Sequence, residues 1–393
     1  MVEAVIVDAI RSPMGRGKSS GALASVHPVD LLAQVLTALI DRNGVDPGTV
    51  DDVLVGCVGQ NGEQSATPGR QAWLSAGYPV HVPSTTIERK CGSGQQAVDF
   101  AHHGIVAGAY DLAIAAGIES MSRVPMGSGR QGADPHGPGV RARFPDLVPQ
   151  GISAELVADR WQLTRAELDE YSARSHALAA EARTSGRFDL EITPIETPDG
   201  AKVTEDETIR PGTTAAKLGE LSPAFATDEL SARFPHLDWK ITAGNSSQLT
   251  DGAAAVLLMS SERAAALGLR PRARIVASAV CGDDPTLMLT GPLPATRRVL
   301  ERSGLDIGQI DAVEINEAFA PVPLAWMREF AIDPARVNPC GGAIALGHPL
   351  GASGTRLLTT LLNHLDAIDG RYGLQTMCEA GGMANAFILE RLT

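Results

Sequence analysis

The strongest restriction on what this chain can fold into is an internal repeat. Residues 44–55, GVDPGTVDDVLV, align with residues 304–315, GLDIGQIDAVEI, with glycine, aspartate and apolar positions matching throughout. The same spacing of 260 residues lays CGSG at 91–94 over GASG at 351–354, so Ser93 meets Ser353 and Gly94 meets Gly354. AVIVDA at 4–9 resembles ARIVAS at 273–278 with a slightly different spacing. Two segments that share one spacing are hard to obtain by chance, and we read a duplicated domain.

Each copy reads as strand, helix, strand, helix, strand. In the first, Leu31, Leu32, Val35, Leu36 and Leu39 recur at helical spacing over 29–42, and Asn43-Gly44 supplies the left-handed residues that end such a helix. DDVLVGCV at 51–58 and DLAIAAG at 111–117 read as buried strands on either side of a helix over 95–107. The second copy repeats this with 295–303, 310–316, 354–366 and 372–378. Between them, 119–151 is rich in Gly and Pro and reads as irregular loop. Thr164 and Glu167 then form a capping box for a helix carrying Leu168, Tyr171, Ser175, Leu178 and Ala182 on one face and stopping at Gly186. DGAAAVLLM at 251–259 returns as a strand of the first copy. The expected division is residues 1–118 plus 248–270 for the first half, 119–247 for an inserted excursion and 271–393 for the second half. Long excursions from α/β cores commonly build ligand sites.

Composition narrows the function classes. Of 393 residues, 44% are hydrophobic and 20% charged, and no run reaches the roughly 18 apolar residues of a membrane span. That excludes a disordered chain and a transmembrane one. A net charge of -13 argues against nucleic acid as a partner, but an Arg cluster or a helix N-terminus can still bind an anion locally. The five cysteines (57, 91, 281, 340 and 378) are odd in number and lack a CxxC. The start, MVEAVIVDAIRSP, lacks a secretory pattern, so a reduced, cytoplasmic protein is expected. Only 4% of residues are aromatic while Gly numbers 41, which suits closely packed α/β layers.

Four residues stand where chemistry is expected. Cys91, in ERKCGSGQQAV, sits where a loop enters a helix; the helix dipole with Lys90 and Arg89 should favour its thiolate. The alternative is a buried small hydrophobe, which flanking charges and Gly-Ser-Gly make less natural. His348, in GGAIALGHPLGASG, occupies the second copy's equivalent loop, and two-fold related halves would bring it to Cys91 as an activating base. Cys378 ends the last strand of the repeat before a Gly-Gly turn, where open α/β sheets place ligands. Asn316, in NEAFA, follows another strand and can donate its amide to an oxyanion. Cys57, Cys281 and Cys340 read as structural.

These motifs, with GNSSQLTDGAAA at 244–255 and NPCGGAIALGHPLGASGTR at 338–356, run nearly end to end and resemble the thiolases, CoA-dependent enzymes that make or break a carbon–carbon bond next to a thioester. The resemblance implies the thiolase fold: α/β, two duplicated βαβαβαββ halves in a layered αβαβα arrangement with an inserted loop domain. It implies Cys91 as acyl carrier, His348 as the group that generates its thiolate, and Cys378 as proton carrier at the acetyl carbon and the CoA thiol. One oxyanion hole would be a water on Asn316 with His348, and the other the backbone N–H groups of Cys91 and Ala380. For CoA it implies Arg210 near the adenine, Phe225 against it, Ser247 on the pantetheine, and Ala318 with Phe319 lining the tunnel. CoA and acyl-CoA are then substrates, with no tightly bound cofactor, no metal, and a homodimer or homotetramer.

Departures from the family pattern bear on specificity. Glu88 stands where Asn is usual three residues before the nucleophile, and Cys378-Glu379-Ala380-Gly381-Gly382 replaces Cys-x-Gly-Gly-Gly. Ala380 can keep a backbone donor only if the position does not need positive φ. Pro149-Gln150-Gly151 replaces His-Met-Gly, and Ser246-Ser247-Gln248 is more like degradative members. The expectation is a degradative 3-ketoacyl-CoA thiolase, with an acetoacetyl-CoA-forming enzyme and a non-catalytic acyl-CoA-binding protein as alternatives. A ketoacyl synthase would need histidine where Asn316 stands.

Overall fold

A computed structural model describes residues 2–392. The first half runs β1 (Ala4–Arg11), α1 (Pro28–Asn43), β2 (Asp52–Gly56), α2 (Pro68–Ser75), β3 (Ser84–Ile87), α3 (Ser93–Val106) and β4 (Leu112–Ser120). The excursion follows, with α4 (Gln150–Arg160) and α5 (Arg165–Thr184), before β5 (Thr250–Ser260) completes the half. The second half is β6 (Ala273–Gly282), α6 (Pro292–Ser303), β7 (Ala312–Ile315), α7 (Pro321–Phe330), α8 (Ser353–Ile368), β8 (Tyr372–Glu379) and β9 (Met383–Arg391).

The repeat is visible atom by atom. Gly44 ends α1 and Gly304 ends α6 in the left-handed conformation, at φ 60° and 70°. In each copy a 3₁₀ turn, at Pro47–Thr49 and Ile307–Gln309, leads into the next strand. Asp51 then accepts the N–H groups of Asp111 and Leu112 at 2.7 and 3.0 Å, and Asp311 accepts those of Arg371 and Tyr372 at 2.7 and 2.9 Å. One side chain in each repeated segment thus fixes the start of the strand 60 residues later. The short sequence match records that tie.

The hydrogen-bonded order β7-β8-β9-β6-β1-β5-β4-β2-β3 reads nearly the same from both ends. The halves join by one registered pair, Ile6 opposite Ala273. β2 runs parallel to β3 and β4, and β7 parallel to β8, as crossover helices require. Helices α3 and α8 lie between the halves: Val98, Ala101 and Ile105 share a core with Leu358, Leu361 and Leu365 and with Leu54, Ala113, Val256, Ala312 and Phe387 of both half-sheets. Helices α1 and α2 cover the outer face of the first half, and α6 and α7 that of the second. The result is an α/β fold of five layers, αβαβα. Along β4, Leu112, Ile114 and Ile118 face outward into the α1 layer while Ala113 and Ala115 face the central helices. Small inward residues let two helices fit between two sheets, which is the use of an alanine- and glycine-rich chain.

Several segments differ from the strand–helix–strand–helix–strand reading: α2 and β3 in the first half, α4 in the excursion, and α7 and β9 in the second half are elements it did not contain. The stretch expected as irregular loop over 119–151 begins with the last two residues of β4 and holds a short helix, Gly137–Arg143, whose buried contacts are too few for periodicity to reveal. In the second half the third strand is a single bridge between Val337 and Val313, and the Asn338 side chain takes over its pairing by accepting from Ile315 N–H and donating to Ile315 O, both at 2.9 Å. The Thr164–Glu167 capping box is present, and Leu168, Tyr171, Ser175 and Ala182 are buried along α5, with Leu178 half-buried. Among the described residues no helix is long and apolar enough to cross a membrane.

Candidate active site

The loop carrying His348 is docked into the opposite half. Gly347 (φ 88°) packs so tightly on Thr250 that a Cβ would lie 2.2 Å from its Oγ1, and the His348 N–H donates to Thr250 Oγ1 (3.0 Å) and Gln248 O (3.1 Å). Further along, the carbonyl of Gly351 sits in a cradle of three glycines from the first half. A Cβ at Gly56, Gly94 or Gly117 would come within 2.7, 2.7 or 2.3 Å of that oxygen. The Glu119 carboxylate closes the cradle by accepting from the N–H groups of Val58, Gly59 and Gly351 and from the Gln64 amide, each at 2.9 Å. Glu119 was invisible as a functional candidate in the sequence, because its partners are 55 or more positions away.

His348 is 4% exposed, and burial with the nearby Arg356 guanidinium lowers its pKa to about 3, so it is a neutral imidazole. Its Nδ1 lies 2.5 Å from Ser353 Oγ, which lies 2.9 Å from the Pro349 carbonyl. The hydroxyl has one proton and the carbonyl can only accept, so the satisfied arrangement has Nδ1–H donating to Ser353. Nε2 then carries the lone pair. It lies 3.4 Å from Asn316 Nδ2, and Asn316 Oδ1 is buried with no protein partner among the described residues. The same serine–loop contact occurs in the first copy, where Ser93 Oγ donates to Lys90 O (2.6 Å) and accepts from Arg89 N–H (2.9 Å), shaping the loop that holds Cys91.

Cys91 corrects the sequence reading on two points. It is 5% exposed, packed with Leu357 and Met377 rather than open behind flanking charges. Its thiol is also not favoured as thiolate. Burial pushes it up to about 12, the Glu379 carboxylate adds to that, and the cysteine's own N–H and Lys90 only partly oppose it. Lys90 is engaged elsewhere, its ammonium 3.0 Å from Glu88. The departure at position 88 thus draws away the cation that was expected to activate the thiol, leaving it only a small effect there. A thiol held this high would ionise only with a base beside it.

Cys378, 1% exposed near the end of β8, is raised well above the usual thiol range by burial and then by charge on Cys91. Ala380 is not among the residues with positive φ; Gly381 (93°) and Gly382 (75°) make the left-handed turn instead. The missing glycine at 380 therefore costs no backbone strain. Next to Asn316, Glu317 accepts from Tyr171 Oη and Ser175 Oγ of α5 (both 2.8 Å), from Asn338 Nδ2 (2.9 Å) and from Ile344 N–H (3.0 Å). This pins the excursion to the second half beside the site. All five cysteines are buried, so burial does not separate Cys57, Cys281 and Cys340 from Cys91 and Cys378.

The residues expected at CoA fall into a connected strip. Ser247 N–H donates to Ala318 O at 3.0 Å, and Ser246 bridges Phe319. The Phe225 and Phe319 rings meet edge to face at 6.5 Å. Phe225 lies on Gly151, where a Cβ would be 2.1 Å from its ring, so the departure at Gln150 borders this strip. Arg210 is exposed and donates to Gln248 Oε1 at 3.0 Å, and Gln248 Nε2 in turn donates to Ile344 O (2.9 Å). No group of three or more His, Cys, Asp or Glu among the described residues is arranged to hold a metal ion.

Comparison with known proteins shows the family of the chain. Residues 4–262 match the family model of the thiolase N-terminal domain, and residues 269–391 that of the thiolase C-terminal domain. The chain is 46% identical over 401 residues to a steroid 3-ketoacyl-CoA thiolase of Mycobacterium tuberculosis, covering 100% of this chain and 95% of that protein. It is 43% identical over 415 residues to the 3-oxoadipyl-CoA/3-oxo-5,6-dehydrosuberyl-CoA thiolase of Escherichia coli, covering 100% of both. The crystal structure of the Bacillus anthracis acetyl-CoA acetyltransferase is similar at a TM-score of 0.88 and 38% identity, covering 100% of this chain and 99% of that one.

Proposed function

The chain belongs to the thiolase family, and from that premise we propose that it cleaves 3-ketoacyl-CoA with CoA to acetyl-CoA and a shortened acyl-CoA through an acyl-Cys91 intermediate. The observation that carries the reading is a buried neutral His348 whose Nε2 holds the lone pair and has only a long 3.4 Å contact to Asn316, in a loop locked by Glu119 against the half that carries Cys91. His348 takes the Cys91 proton. The thiolate attacks C3 of the substrate, the C2–C3 bond breaks, and the electron pair is held as the enolate of acetyl-CoA. Cys378 gives its proton to C2, then takes the proton of an incoming CoA thiol, whose sulfur attacks the acyl group and displaces the Cys91 thiolate, which takes its proton back from His348.

Charge developing on oxygen needs fixed donors in a dry site. The orphaned Asn316 Oδ1 supports a water held there, which would donate to one oxyanion together with protonated Nε2 of His348. The N–H groups of Cys91 and Ala380 would serve the other. Removing one such donor typically costs about 3–4 kcal/mol of barrier. CoA enters as a substrate, with its pantetheine along Ser247, Ala318 and Phe319, and its adenine by Phe225 and Arg210. The enzyme acts as a cytoplasmic homodimer or homotetramer without a tightly bound cofactor, and residues 119–247 form its loop domain.

The test is turnover of acetoacetyl-CoA and of longer linear and cyclic 3-ketoacyl-CoAs, with mass spectrometry of the trapped enzyme. The expected result is acyl mass on the Cys91 peptide and higher kcat/KM for a substrate beyond acetoacetyl-CoA. Acyl mass elsewhere, or activity confined to acetoacetyl-CoA, overturns it.

A further inference from the structure

The repeat spacing pairs Glu119 at the end of β4 with Glu379 at the end of β8, and pairs Gly351 with Cys91. In one copy the pair is a finished clasp, since Glu119 accepts the Gly351 N–H and three further donors. In the other copy the carboxyl faces the nucleophile loop and is left open. Glu379 is 0% exposed, and neither of its oxygens has a hydrogen-bond partner among the described residues. Its Oε1 lies 1.9 Å from where a Cβ on Gly92 would stand, so the carboxyl rests on the residue that follows Cys91.

The groups around it offer little compensation. Arg89 from the nucleophile loop is the facing cation, opposed by Asp99 of α3 and by Glu88. Asp99 is itself buried with both oxygens unpartnered. From β9 the Asn385 amide donates to Gly92 O at 3.2 Å instead of to the carboxyl. On its own strand the neighbour is Cys378, and beyond Cys91 stand Lys90, paired with Glu88, and Glu119. A buried carboxyl in that setting holds its proton into the alkaline range, up to about 8.

We propose that Glu379 is a positioning residue acting through Cys91: while it keeps its proton the thiol is free to ionise, and once it ionises its charge opposes the thiolate. This rests on Cys91 being the acyl carrier, yet its test requires no acyl-CoA. Cys91 alkylation by iodoacetamide, whose rate follows the thiolate fraction, is measured with peptide mass mapping from about pH 6 to about pH 10, on both sides of the Glu379 titration. The proteins are the wild type, Glu379→Gln and Glu379→Asp, each shown by thermal unfolding to be folded. Well below pH 8 the three rates coincide. Above it Glu379→Gln is alkylated about tenfold faster than wild type, one unit of thiol pKa, while Glu379→Asp stays with the wild type. A Glu379→Gln curve that follows wild type overturns the proposal, as does Glu379→Asp shifting as far as Glu379→Gln. Absence of acyl-Cys91 with 3-ketoacyl-CoA would instead refute the activity and leave this result standing.

Discussion

Gly117→Ala is the sharpest test of how the two halves make one site. Gly117 lies in β4, far from the reacting atoms in sequence, and its added methyl would meet Gly351 O at 2.3 Å and Ala352 Cα at 2.6 Å. Ordinary contact begins at 3.4 Å, so the facing backbone must retreat by about 1 Å. That backbone follows directly from His348, and Glu119 cannot keep its 2.9 Å bond to Gly351 if it moves. Overpacking of this kind costs about 1–3 kcal/mol of stability, which leaves a domain of this size folded. A misplacement of about 1 Å in a catalytic group, by contrast, costs about 100-fold in rate. The expected outcome is therefore a small fall in unfolding midpoint and a kcat about 100-fold lower, with KM changed much less because the strip at Ser247 and Phe319 is untouched. Gly139→Ala, where a Cβ meets nothing within 4 Å, serves as the control. Gly117→Ala with kcat within threefold of wild type would refute the claim that this cradle sets the His348–Cys91 geometry.

Further expectations follow from the same geometry. Ser353→Ala removes the acceptor that fixes His348 Nδ1–H; losing a buried hydrogen bond of about 1–2 kcal/mol should lower kcat about 5- to 30-fold, and steady-state kinetics with unchanged KM would bear this out. Cys91→Ser replaces the soft nucleophile by one the neutral His348 cannot readily ionise, so turnover should fall to background while CoA still protects the protein against thermal unfolding; full turnover would reject the covalent route. His348 and His176 have pKa values lowered to about 3 and about 4 by burial, so the unfolded chain binds more protons than the folded one below the usual 6.5. Asp99, Glu314 and Glu379, whose protons are held up to about 8, oppose this in the whole protein, so wild type is compared with His176→Gln: the wild-type urea midpoint should fall relative to the variant's as pH drops from about 6.5 towards 4, whereas a pH-independent difference would contradict the buried neutral assignment.

Local patterns made much of the fold legible. Helical spacing over Leu31–Leu39, the glycine stops at 44 and 304, and the alanine-rich strands are written in neighbouring residues, and each element formed where these signals lay. The short helix at Gly137–Arg143 was not legible because no residue of it is buried, so no apolar period marks it. Within the site, the positions of Cys91, His348, Cys378 and Asn316 followed from glycine-rich turns at strand and helix ends. Their protonation did not. The sequence puts Lys90 and Arg89 beside the thiol, and only the folded chain turns Lys90 to Glu88 and sets Arg89 against Glu379 and Asp99.

The sequence by itself determined that this protein is two copies of one unit, which residues could react, and which helices and strands present them, because periodicity, caps and turns depend on residues a few positions apart. The tertiary structure alone decided that Cys91 is a buried thiol raised in pKa, that His348 is neutral with its Nε2 lone pair towards Asn316, that Ala380 carries no strain, and that Glu119 is bound where its mate Glu379 is not. Desolvation and the pairing of buried charges are set by neighbours hundreds of residues apart, and those neighbours exist only once the two halves have closed on each other.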